Sequence, residues 1–120
     1  MMMTKATIVL LATLASTSAF AQGMDHATHA ASGSTEDNMS VMDSMMESMN
    51  GMEMSGDPDA DFLLMMIPHH QSAIDMAKIE LEQGDDPETR KMAQEIIDAQ
   101  EQEIAEMKTM LERLGVDAPE

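Results

Sequence analysis

The chain has 120 residues, of which 17 are methionine and none is cysteine, tryptophan or tyrosine; 23 acidic residues against six basic ones give a formal charge of −17. So negative a surface repels nucleic acid and anionic membrane and concentrates cations. Without cysteine there is neither a disulfide framework nor a thiolate site, so the fold rests on its core and any soft-metal site on thioether and imidazole.

A short basic start, Met1 to Lys5, precedes an apolar run from Ala6 to Leu14 and the small residues Ser16 to Ala19. Ala19-Phe20-Ala21 has the small-x-small pattern of a signal-peptidase site, which predicts a signal peptide over 1–21, cleavage before Gln22 and a periplasmic address. The apolar run falls short of the ~20 residues of a membrane span. Cleavage leaves 99 residues, 14 of the methionines and a charge of −18, enough for one domain.

Residues 22–36 are Gly, Ala, Ser, Thr, His and Asp without apolar period and are expected to form a disordered tail. Met24, His26 and His29 lie in it as an accessory metal site. His26 would be the fifth residue after cleavage, so an amino-terminal copper(II) chelate that needs histidine third is not available.

A helical domain over 37–115 follows, with a short C-terminal tail over 116–120. The first helix is predicted from about Asp37 to Met54, with a methionine stripe at Met39, Met42, Met46 and Met49 that Met45 and Met52 widen. Asp57-Pro58 is an N-cap with proline at the first helical position, opening a second helix that runs to Gln83 and stops at Gly84. Pro68, inside it, is expected to kink it. Asp86-Pro87 repeats the start signal for a third helix ending at Leu114-Gly115. Its seam is Ala93, Ile97, Gln100, Ile104, Met107, Leu111 and Leu114. Met92 is read as a core filler. No segment reads as a strand. The expected fold is all-α, an antiparallel helical bundle with short turns, and pairing of two copies would complete a larger bundle.

From Met39 to Met54 there are seven methionines and one other apolar residue, Val41. A core needs shape-specifying Leu and Ile, whereas copper(I), a soft d10 ion, prefers sulfur and imidazole. The second helix adds Met65, Met66, His69, His70 and Met76, with Met65–His69 and Met66–His70 at i,i+4. With turns centred near Gly56 and Asp85, Met46 falls level with Met66, Met42 with His70, His69 with Glu101 and Met66 with Ile104. Met107 then joins the metal layer, and Gln100 and Glu103 come within hydrogen-bonding reach of the imidazoles. The expected metal ligands are Met42, Met45, Met46, Met49, Met52, Met65, Met66, His69, His70, Met76 and Met107.

No Glu-x-x-His, C-x-x-C-H, phosphate loop or G-x-S-x-G occurs, so no catalyst is expected. The rival readings are a b-type haem held by His and Met and a Met-rich surface for varied protein partners.

The segment D-P-D-A-D-F-L-L-M-M-I-P-H-H-Q-S-A-I-D-M-A from Asp57 to Ala77, with A-Q-E-I-I-D-A-Q-E-Q-E-I-A-E-M from Ala93 to Met107, closely resembles the bacterial family known as domain of unknown function 305. The resemblance implies a ferritin-like helical bundle, exported to the periplasm. It also implies copper(I) or silver(I) binding for copper tolerance, with cargo passed to an exporter or another copper-handling protein. Residue by residue, the family motif falls on Met66, His69, His70, Met76, Gln100, Glu103 and Met107. Three helices instead of four set this chain apart.

Overall fold

The computed structural model describes residues 31–120. The expected signal peptide and Met24, His26 and His29 lie outside the described residues. The described chain is all-α: α1 (Ala31–Asn50), α2 (Pro58–Gln83) and α3 (Pro87–Leu114), antiparallel in sequence order.

α1 begins six residues before the expected Asp37, inside the segment read as a disordered tail. It ends at Asn50, four residues early, where Gly51 and Met52 close the last turn on the carbonyls of Glu47 and Met49. Serines inside α1 satisfy their hydroxyls by donating back one turn: Ser44 Oγ to the Ser40 carbonyl and Ser48 Oγ to the Ser44 carbonyl, both at 2.9 Å.

Asp57 caps α2 as expected, its Oδ1 accepting from the amides of Asp59 (2.8 Å) and Ala60 (3.2 Å), with Pro58 entering the first turn. α2 is continuous helix through Pro68. Pro68 has no amide to bond the Leu64 carbonyl, and the helix continues past it. Gly84 ends the helix with φ −81°, outside the left-handed region. Glycine is required there by space, because a Cβ would lie 2.7 Å from the Glu80 carbonyl oxygen. Arg90 then covers the bare end of α2, donating from Nη1 to the carbonyls of Leu81 (2.6 Å) and Gly84 (2.9 Å).

α3 starts at Asp86, whose Oδ2 accepts from the Thr89 amide (2.8 Å) and hydroxyl (2.7 Å). It ends at Gly115 in the left-handed conformation, φ 72°, with the Val116 amide reaching back to the Leu111 carbonyl. Val116 and Ala118 pack on the core, so the expected C-terminal tail folds back onto the bundle.

Two carboxylates at helix starts, the α3 cap Asp86 and Asp61 in the first turn of α2, carry an acid dependence. The Thr89 hydroxyl holds Asp86 below its ordinary 3.8, and the Ser55 hydroxyl does the same for Asp61. A lowered folded-state pKa means that each contribution is fully present above 3.8 and is lost as pH falls through the lowered value. Asp86→Ala is therefore expected to melt below the parent at neutral pH, the gap closing well below pH 3.8. A gap that persists in acid, measured by thermal melts followed by circular dichroism, would remove the carboxylate from the account.

The core has two apolar clusters along the α2–α3 seam. One holds Ala60, Leu63, Leu64, Ile67, Met107 and Leu111; the other holds Ile74, Ala77, Ala93 and Ile97. Ile104 packs against both. α1 joins α2 alone, and α1 and α3 do not meet. Ser72 faces α1 and His70 faces α3. At about 100° per residue these positions lie some 200° apart around the axis. α2 is therefore the middle of a three-helix layer, with α1 and α3 on opposite flanks.

Candidate metal centre

Between the two apolar clusters α2 carries His70 and Ser72, and α3 carries Gln100 and Glu103. This polar stretch is the centre of the layer. His70 is nearly buried: its Nδ1 lies 2.9 Å from the Met66 carbonyl and its Nε2 2.6 Å from Glu103 Oε2. Both neighbours are acceptors and a neutral imidazole has one N–H, so the imidazolium satisfies both at once. When the ring is neutral with its proton on Nδ1, the carbonyl bond persists and Nε2 offers a lone pair. That is the arrangement of a histidine oriented to ligate. The Glu103 carboxylate occupies the direction from which an ion would approach.

Met66 packs against the cluster that contains Met107, and Met52 packs there from the α1–α2 connection. Met66 lies one helical turn before His70 on α2, and all three thioethers border the same apolar cluster. Met45 sits on the opposite flank of α2, its Sδ 3.2 Å from Ser72 Oγ. The single hydroxyl proton of Ser72, itself buried, is shared between that sulfur and the His69 carbonyl at 2.7 Å. Gln100 Oε1 is buried without a partner. It does not reach an imidazole as expected, because Glu103 is the residue that lies opposite His70.

The register of α1 differs more. Met45 lies against Ser72, five residues further along α2 than the expected pairing, and Gln83 donates to Asp37 at 2.7 Å. The cause is the connection over 51–57. It is irregular, and extended chain advances ~3.3 Å per residue against ~1.5 Å in a helix. Met42 and Met46 consequently do not meet Met66 and His70. Met42 falls level with Met76 and Met49 with His69.

The expected ligands therefore divide. Met45, Met49, Met52, Met66, His70 and Met107 turn inward to differing depths, whereas Met42, Met46, Met65, His69 and Met76 are exposed. His69 and His70 are neighbours in sequence with ring centroids 6.2 Å apart, but only His70 enters the centre. Met92, read as core, is 62% exposed. It lies one residue outside the seam, which the buried Ala93 occupies. Ser72 was missed; its signal was its place three residues after His69, on the flank that α1 covers. Among the described residues no three His, Cys, Asp or Glu side chains gather to hold an ion.

The profile of the family described as "Domain of unknown function (DUF305)" matches residues 3–111. The chain belongs to this family. The DUF305 match takes in α1, the connection, all of α2 and the seam of α3 as far as Leu111. The chain is also 41% identical over 54 residues to "Uncharacterized protein L153" of Acanthamoeba polyphaga mimivirus. That match covers 45% of this chain and 36% of the viral protein, so the chain spans about a third of the curated relative it matches. No described helix is long and apolar enough to cross a membrane.

Proposed function

We propose that this DUF305 chain is an exported copper(I)-binding protein, with silver(I) as a second ion of the same chemistry, that sequesters its cargo or passes it to another copper-handling protein. The observation that carries the reading is His70: nearly buried, its Nδ1 is tied to the Met66 carbonyl and its Nε2 to the displaceable Glu103 carboxylate, one turn from Met66, which borders the cluster that contains Met107. Thioethers and one imidazole form a donor set for a soft d10 ion, and a cysteine-free chain keeps it in an oxidising compartment. The charge of −17 draws cations to the surface without selecting among them; selection falls to sulfur.

A copper(I) titration against a chromogenic chelator, with oxygen excluded and the chain purified after export, tests the proposal. One or more equivalents withheld from the chelator is the expected result. No competition would sink it. Repeating the titration at pH 5 separates the donors, since protons compete for imidazole nitrogen and not for thioether sulfur. Affinity is expected to fall but to persist; complete loss would make the imidazole, not the methionines, the leading ligand.

A further inference from the structure

The exposed apolar residues of this chain are not scattered. Because α1 and α3 flank α2, the layer has two broad faces, and helical phase assigns each side chain to one of them. One face carries Gln71, Asp75 and Lys78 of α2, Ser44 and Ser48 of α1 and Lys108 of α3. The other carries Met39, Met42 and Met46 from α1. From α2 come Phe62, Met65 and Met76, and from α3 Met92, Met110 and Leu114. Among the described residues these nine are all of the exposed large apolar side chains except Met54, which lies in the connection. His69 stands in their midst.

Together they expose on the order of 900 Å², close to the ~800 Å² that each partner brings to a standard interface, and larger than the patches tolerated on most monomers. The acidity of the chain is directed elsewhere: in the middle of this face the carboxylates are Glu80 and Glu103, and Glu103 is already paired with His70. A second copy can therefore approach here without the repulsion that the rest of the surface imposes.

We propose that a second copy of this chain docks on the methionine face, related by a two-fold axis through the middle of α2. The face is self-complementary about that point. Phe62 projects at one end of α2, 57% exposed. At the other end is an open groove of about 440 Å³, lined by Met76, Ile79, Met92 and Ile96 under a rim of Ser34 and Asn38. An axis between His70 and Gln71 exchanges Phe62 with Ile79 and Met65 with Met76, so each Phe62 enters the partner's groove, the mutual contact of an isologous pair. The same operation sets His69 beside the axis, with its own Met65 and the second copy's Met76 next to it. The five exposed members of the expected ligand set then become a buried thioether and imidazole group between copies. The interface stands without the copper reading; only that shared ligand group rests on it.

Sedimentation of the chain purified after export, at micromolar concentration with metal removed by a chelator, measures the pairing. The expected mass is twice that of one chain. The double variant Phe62→Glu, Met92→Glu alters one projection and one groove wall, both exposed and neither a ligand. It is expected to sediment at the single mass with its helical circular dichroism intact. Gln71→Glu, on the opposite face, is expected to keep the double mass. A parent chain at the single mass overturns the proposal whatever the variants do, and so does a double variant that stays paired. A single-mass parent that still withholds copper(I) from the chromogenic chelator overturns the pairing alone. A paired parent that withholds none supports the interface and overturns the copper reading.

Discussion

Leu111→Ala is expected to lower the stability of the chain by about 2–5 kcal/mol, the range for removing a buried leucine from a core that cannot close over the gap. Leu111 is wholly buried, in the cluster where α2, α3, Met52 and the returning Val116 meet. Its carbonyl also receives the Val116 amide that ends α3, so the side chain and the cap are set at one position. A layer of three helices in which α1 and α3 do not touch has no second set of contacts to take up the loss. Against a total of about 5–15 kcal/mol, such a change brings a domain of this size near its unfolding point. Urea unfolding followed by circular dichroism measures it; a loss under ~1 kcal/mol would mean that the cluster repacks freely. Leu114→Ala, one turn on and partly exposed, is the comparison and should cost much less.

His70→Ala is expected to weaken copper(I) binding at least about tenfold, the lower end of what even an outer partner of a metal ligand is worth. His69→Ala, measured on the unpaired Phe62→Glu, Met92→Glu background, should change it far less, since His69 is exposed and outside the centre. Glu103 supplies the sharper test. Its carboxylate holds His70 Nε2 at 2.6 Å, so a soft ion must displace it to reach the same nitrogen. Glu103→Ala is therefore expected to bind copper(I) at least as tightly as the parent. The pair is half-exposed on the Glu103 side and contributes little to stability. A Glu103→Ala variant that binds more weakly would make Glu103 an orienting partner of the imidazole, as the sequence spacing suggested, and not its competitor. Equal affinity in His70→Ala and the parent would remove His70 from the site altogether.

The two α2–α3 halves of the chain were readable because their signals are local and mutually consistent. Asp57-Pro58 and Asp86-Pro87 place polar caps and fixed φ where helices need them. The 4-3 spacing from Ala93 to Leu111 marks the buried stripe, and four of its members are buried as expected. A three-residue connection leaves little freedom, so His70 and Glu103 could be brought together to within one turn on paper. α1 was harder. Its methionines occupy so much of the circumference that several stripes fit equally well. The inward line in the structure is Asn38, Val41, Met45, Met49 and Met52, whereas Met39, Met42 and Met46 lie one flank away. Apolar type alone does not rank equivalent methionines; only the surface they meet does.

What the sequence determined by itself is therefore the number of helices in the described residues, two of their three starts and the α2–α3 seam. All of these follow from residue type and short-range spacing. Tertiary structure alone decided how far α1 slides along α2, because that depends on the path of an irregular connection whose rise per residue no periodicity encodes. It also decided that α1 and α3 take opposite flanks of α2. From that follow the division of the expected ligands into an inner and an outer set, the bond between Met45 and Ser72, the orphaned Gln100 oxygen and the gathering of the exposed methionines on one face.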